Sequence, residues 1–146
     1  MIKQLKIYFI SHISDIDFII LRFKEEIEQQ NNLDKVDFEY KLQFEQFMIN
    51  KINDCLQNEN FQKIPVSFIY KIIEKCEEKE ISSDLLFDFI KKSPKNHFVL
   101  FKFIKFQDLS KEKFEELYEL YLNSNKNYFQ YLSCNLEYIK TIKMIN

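Results

Sequence analysis

Glycine is absent from all 146 residues of this chain, and that absence limits the turns and sites that the chain can build. Glycine adopts positive φ angles without strain and lets a backbone approach a ligand closely. The phosphate-binding P-loop, the dinucleotide-binding fingerprint, the nucleophile elbow, the kinase Gly-rich loop and the EF-hand calcium loop each need it at a fixed position. The sequence therefore excludes all of these sites.

Alanine is absent as well, so the chain has no small apolar residue with which to fill a core. Aromatic residues take that place, with 16 Phe and 8 Tyr. Each buried ring removes a large area from water. Because helices without small residues cannot approach closely, we expect wide distances between helix axes.

Apolar residues recur at intervals of three and four along most of the chain, which is the spacing of amphipathic helices. The pattern predicts helices over residues 15–30, 33–57, 65–76, 83–92, 97–104 and 111–122, with one or two more over 128–145. No segment is a convincing strand. We therefore predict an all-α, single domain over residues 1–146, with about seven or eight short helices packed as antiparallel hairpins.

Polar residues before several apolar runs mark predicted helix starts. Ser14 and Asn96 are candidate N-caps, and either Ser82 or Ser83 can cap the helix over 83–92. Ser110 is the best-defined start, because Leu109 before it and Phe114 four positions after it can form a hydrophobic staple.

The charge pattern argues against nucleic acid as a partner. The formal net charge is −2, and the lysines are scattered among glutamates rather than gathered on a basic patch. One predicted helix carries four glutamates three or four positions apart, Glu112, Glu115, Glu116 and Glu119. Lys111 and Lys113 can pair with them, so we interpret this as a solvated face rather than a paired-carboxylate active site.

Cysteine and histidine spacing supports no metal or redox site. Cys55, Cys76 and Cys134 form no CxxC pair, and reduced thiols indicate a cytoplasmic or nuclear location. His12 and His97 have no HExxH neighbourhood. A meeting of His97 with Cys76 in space stays open, but a Cys–His pair would also need an oxyanion site. We predict no catalytic residue, no metal site, no cofactor and no small-molecule substrate.

The N-terminal segment is apolar but short. The run Ile7-Tyr8-Phe9-Ile10 is too brief for a secretory signal, and no segment approaches the length needed to span a bilayer. A peripheral membrane role through residues 2–21 stays open, with Lys3 and Lys6 beside the apolar face.

Tyrosines concentrate in the last third of the chain. Aromatic stripes at helical spacing are usually core, yet tyrosine is also enriched at protein interfaces. We predict a partner-binding surface there, formed by Tyr118, Tyr121, Tyr128 and Tyr131.

Residues 64–90 read IPVSFIYKIIEKCEEKEISSDLLFDFI. A Pro-opened helix leads to a short turn, then Ile81, Ser82-Ser83, Asp84 and a second apolar helix. This order resembles the BACK-type helical region that follows BTB/POZ domains, and the run 99–110, VLFKFIKFQDLS, resembles its continuation in expanded protist sets. The BACK-like portion covers roughly residues 62–122. Residues 1–61 read as helical rather than as a BTB domain, and no ankyrin repeat is present.

The resemblance implies a scaffold that positions protein partners, in some members substrates of cullin-based ubiquitin ligases. The chain would be a stand-alone relative or an adaptor fragment of a longer BTB or ankyrin-associated protein. We therefore predict a non-enzymatic protein–protein interaction module with a protein partner. The alternatives are an enzyme with an unrecognised site and a peripheral membrane-associated helical protein.

Overall fold

The computed structural model describes residues 15–77 and 80–123. These residues contain seven α-helices, four 3₁₀ helices and no strand, so the prediction of an all-α fold is confirmed for them. The chain forms two compact units, Met1–Glu80 and Ile81–Asn146. A single domain over residues 1–146 and the limits of its BACK-like portion stay predictions.

The described part of the first unit has four α-helices. They are α1 (Ile16–Gln30), α2 (Phe38–Asn50), α3 (Ile52–Leu56) and α4 (Val66–Lys75), with 3₁₀ helices at Leu33–Lys35 and Glu59–Lys63. Side chains cap two of these α-helices. Asp15 accepts a hydrogen bond from the Phe18 N–H, and Asp37 accepts one from the Tyr40 N–H. The cap of α1 is therefore Asp15 and not the predicted Ser14, which lies outside the described residues.

The prediction of one continuous helix over residues 33–57 is wrong. Asn31 ends α1 at φ 62°, a left-handed position that Asn takes here in the absence of glycine. Asn32 then accepts a hydrogen bond from the Asp34 N–H and opens the 3₁₀ helix Leu33–Lys35. The first break within 33–57 lies at Val36 and Asp37, whose ψ angles of 141° and 132° separate this 3₁₀ helix from α2. A second break falls at Lys51, whose φ of −126° separates α2 from α3.

Stacked phenylalanines form the core of the first unit. The Phe23 ring lies 3.8 Å from the Phe44 ring and 5.2 Å from the Phe68 ring, centroid to centroid, which joins α1, α2 and α4. Asn58 is also buried, and its amide bonds the Asp17 carboxylate on α1. Its side-chain oxygen accepts from the Asn60 N–H, so one amide ties α1 to the 3₁₀ helix Glu59–Lys63.

The described part of the second unit has three α-helices. They are α5 (Ser83–Lys92), α6 (Pro94–His97) and α7 (Lys111–Asn123), with 3₁₀ helices at Phe98–Phe103 and Phe106–Asp108. The predicted helix over 97–104 corresponds to the 3₁₀ helix Phe98–Phe103, while His97 ends α6. Asn96 is not its cap but lies inside α6, where its amide donates to Ser93 Oγ across 2.9 Å.

Three consecutive residues at the start of α5 organise the second unit. Ser82 Oγ caps α5 by accepting from the Leu85 N–H at 3.2 Å. The buried Ser83 Oγ accepts from the Lys105 N–H at 3.2 Å. Asp84 Oδ1 accepts from the Ser110 N–H at 2.9 Å. Each side chain therefore fixes a different stretch of backbone.

Candidate partner-binding groove

Helix α7 begins where the sequence predicts. Ser110 Oγ accepts from the Lys113 N–H at 3.2 Å, so the predicted cap is confirmed. Phe114 is buried one turn later and meets the Phe106 ring edge-on at 6.1 Å. Leu117 is buried a further turn along, so one stripe of α7 is fixed in the core and the rest of the helix stays at the surface.

A closed set of four charges joins α5 to α7. Lys91 Nζ lies 3.0 Å from Asp88 Oδ1 and 2.5 Å from Glu116 Oε2. Lys113 Nζ lies 2.9 Å from Asp88 Oδ1 and 3.8 Å from Glu116 Oε1. Each ammonium thus contacts both carboxylates, and the four charges sum to zero. Lys91 Nζ also lies 5.5 Å from the centre of the Phe87 ring.

The pKa shifts in this charge set follow from its geometry. Burial by itself would raise the pKa of Asp88, but hydrogen bonds and charge from Lys113 and Lys91 outweigh burial and lower it. The hydrogen bond to Glu116 is the largest influence on Lys91 and raises the pKa of its ammonium group. Both shifts favour the charged forms of Asp88 and Lys91 at neutral pH.

A groove of about 800 Å³ lies beside this charge set, and we call it the α7 groove. Phe87 and Lys91 of α5 line it together with nine residues of α7. Tyr118 and Leu120 are its half-buried apolar members. The volume falls within the range of about 300–1,000 Å³ that is usual for ligand sites.

Carboxylates occupy the rim of the α7 groove. Glu112, Glu115 and Glu119 are exposed and line it. Of the four glutamates predicted to pair with Lys111 and Lys113, only Glu116 does so. Its partner is Lys113, which also contacts Asp88. Within the described part of the chain, the other three carboxylates form no ion pair.

The predicted tyrosine surface is described only in part. Tyr118 and Tyr121 lie on α7, both half-buried, with ring centroids 6.2 Å apart. Tyr118 lines the α7 groove. Tyr128 and Tyr131 lie outside the described residues, so a four-tyrosine surface stays a prediction. Sequence reasoning missed Leu120 and Lys91 as groove residues, because only the packing of α5 against α7 brings them to one site.

Of the described residues considered for catalysis, His97 and Cys55 are buried and Cys76 is half-buried. His97 is buried and packs on the Phe89 ring at 4.7 Å, and it belongs to the second unit. Cys55 and Cys76 are free thiols of the first unit. Burial raises the pKa of Cys55 to about 12 and that of Cys76 to about 11. His12 and Cys134 lie outside the described residues.

Residues 15–77 and 80–123 contain no group of three His, Cys, Asp or Glu side chains placed to hold a metal ion. Over the same residues, no helix has the length and apolar content required to cross a membrane.

An exposed apolar pair on α2 forms a second surface. Phe38 is 68% exposed and Leu42, one turn later, is 43% exposed. The opposite side of α2 is buried through Tyr40, Phe44 and Met48. The helix therefore carries apolar side chains on two sides, of which only one is packed.

The molecule is thus a helical protein with a charge-rimmed groove between two packed helices of its second unit. No protein-family model matches the chain, and no curated protein or solved structure matches it.

Proposed function

We propose that this chain is a non-enzymatic protein-interaction module that binds a protein partner in the α7 groove. The single observation that carries the proposal is the groove itself, which combines half-buried apolar side chains at Tyr118 and Leu120 with a charged rim. Interfaces of this kind bury an aromatic or aliphatic anchor and leave polar groups at the edge. The adjacent neutral charge set holds α5 and α7 in position, so the groove is formed before a partner arrives.

The absence of an enzymatic role is part of the same proposal. Both described cysteines favour the thiol, because burial raises the pKa of each well above its usual value. A thiol that stays protonated is a poor nucleophile at neutral pH. Free thiols also suit a reducing compartment, so we propose a cytoplasmic or nuclear location.

We further propose that residues 62–122 are a BACK-like region. Two features support this. Helices α4 and α5 follow Pro65 and Ser82 in the order that the resemblance implies. The Ser82-Ser83-Asp84 run of that resemblance also fixes three separate stretches of the second unit, which gives a physical reason for polar residues at these positions.

A peripheral membrane role is the second candidate, and one observation favours it. Phe18 and Leu21, at the end of the apolar segment 2–21, are 39% and 36% exposed. Apolar side chains next to lysines are typical of helices that lie in a membrane interface. Co-sedimentation of the full chain with anionic vesicles, compared with a Phe18→Ser, Leu21→Ser variant, tests this candidate.

A quantitative pull-down from native lysate tests the interaction module. The tagged chain is compared with a Tyr118→Ala, Leu120→Ala variant and with a matched Phe38→Ala, Leu42→Ala control on α2. Far-UV circular dichroism verifies that all three are folded. We expect the groove variant alone to lose a partner that the other two retain. Equal recovery by all three would contradict binding in the α7 groove.

A further inference from the structure

We propose that the α7 groove accepts a lysine-rich amphipathic helix of a partner protein. This inference rests on the proposed function, because it names the chemistry of the partner in the same groove. The apolar side of that helix would lie against Tyr118, with Phe114 one turn before it on the same face of α7. Its lysines would reach the carboxylates on the neighbouring face.

The apolar part of the groove sets the first requirement on the occupant. Tyr118 is half-buried, Phe114 one turn before it on the same face of α7 is buried, and the buried Phe87 of α5 also lines the groove. A partner that fills about 800 Å³ against this lining must bring apolar side chains. An exposed helix with apolar residues on one side provides them in a single element.

The charges on the rim set the second requirement. Asp88, Lys91, Lys113 and Glu116 neutralise one another, so they contribute no net charge. The other charged groups that line the groove are three carboxylates and the ammonium group of Lys111, so the groove has a net charge of −2. The carboxylates stand at positions 112, 115 and 119, spaced along the length of α7.

This arrangement is unfavourable for α7 taken alone. The dipole of the helix accounts for Glu112, which lies in the first turn. It does not account for Glu115 and Glu119, which are like charges at i and i+4 and destabilise a helix. Ammonium groups from a bound helix would remove that repulsion. The same carboxylates repel phosphates, so a nucleic acid is disfavoured as the occupant.

Binding of synthetic peptides to the full chain tests the proposal. The probe is a fluorescent peptide of about 18 residues, long enough to form a helix, that carries Leu on one side and Lys on the other. The matched peptide replaces every Lys by Glu. Fluorescence anisotropy measures Kd for each, over a series of NaCl concentrations.

Three variants of the full chain locate the site. One replaces the rim carboxylates by Glu112→Gln, Glu115→Gln and Glu119→Gln, and we expect it to weaken binding of the Leu/Lys peptide about tenfold. A second, Tyr118→Ser, changes the apolar lining, and we expect it to weaken binding as well. The third is the control, which removes three exposed carboxylates of the first unit by Glu59→Gln, Glu74→Gln and Glu77→Gln.

The proposal predicts weakening by the first two variants only, and weaker binding as salt is raised. Equal weakening by the control would show non-specific adsorption of a cationic peptide and would overturn the proposal. Equal affinity for the Glu peptide would overturn the lysine requirement but leave a groove-dependent partner, and so the proposed function, standing. Sedimentation velocity tests whether the groove is occupied by a second copy of this chain instead. A dimer that is lost only in the groove variants would identify that occupant and overturn the proposal.

Discussion

The backbone N–H of Ser110 donates to Oδ1 of Asp84 across 2.9 Å, so the start of α5 holds the start of α7. The Ser110 side chain separately caps α7 through the Lys113 N–H. One residue therefore sets both where α7 begins and where it lies against α5. The groove depends on this link, because its lining comes from both helices.

Replacing Asp84 by Ala should lower the free energy of unfolding by about 1 kcal/mol, because it removes the acceptor for the Ser110 N–H. Asp84→Asn keeps a side-chain oxygen and should cost less. Urea denaturation followed by circular dichroism measures both. Equal losses in the two variants would show that the charge of Asp84, and not this hydrogen bond, is what matters.

Ser110→Ala should cost about 1 kcal/mol through loss of the helix cap. Ser110→Asp restores an acceptor at the cap and is the matched control. An unchanged urea midpoint in the Ala variant would contradict the assignment of Ser110 as the residue that caps α7.

Helix positions could be predicted from the sequence where one capping side chain marks a helix start or where apolar residues recur at helical spacing. Ser110 caps the helix it was predicted to cap, and Ser82 is the one of the two candidates Ser82 and Ser83 that caps α5. Such positions are predictable because an N-cap is a local interaction between neighbours in the sequence. The apolar stripes of α4 and α5 are buried as their spacing indicates.

The breaks between helices and the α7 groove could not be predicted from the sequence. Residues 33–57 keep one apolar spacing through the extended residues 36–37 and the break at Lys51, so periodicity alone predicts one helix. The run 98–103 is so uniformly apolar that no period separates α-helix from 3₁₀ helix. The groove needs Lys91 and Leu120 together, 29 positions apart, and only tertiary packing makes that pair.

Core truncation should be far more costly than loss of a cap. Phe89 and Ile73 are fully or almost fully buried, so Phe89→Ala should cost about 3–5 kcal/mol and Ile73→Ala about 2–5 kcal/mol. Ile73→Val removes a single methyl group and should cost only about 0.5–1.5 kcal/mol. Chemical denaturation ranks the three, and a near-zero effect of either Ala variant would refute its core position.

The charge set between α5 and α7 should make stability depend on acid pH. The pKa of Asp88 is lower in the folded protein than its usual value. Its contribution is therefore present above the ordinary carboxyl pKa and is lost as pH falls through the lowered one. Because the group is about one-third exposed, we expect only about 0.5 kcal/mol. Urea denaturation of the native chain and of Asp88→Asn, repeated from neutral to acid pH, gives the free energy of unfolding of each. The two free energies should converge at acid pH. A difference that does not change with pH would show that the ionised Asp88 carboxylate is not its cause.

Cys55 should resist alkylation in the folded state. Burial raises its pKa to about 12, so the thiolate that reacts is scarce at neutral pH. Iodoacetamide labelling followed by peptide mass spectrometry should find Cys55 unmodified until urea is added. Stability should also fall as pH rises above about 9, where the unfolded thiol ionises and the buried one does not. Rapid labelling of Cys55 without denaturant would contradict its burial.

Site-specific photo-cross-linking tests the central claim most directly. Benzoylphenylalanine replaces Leu120 in the α7 groove or, as the control, Leu42 on α2, and each full-length chain is irradiated in native lysate. The account predicts a discrete cross-linked protein from position 120, lost when Tyr118→Ala is added, and not obtained from position 42. The same products from both positions, or none from position 120, would contradict a partner-binding groove on α7.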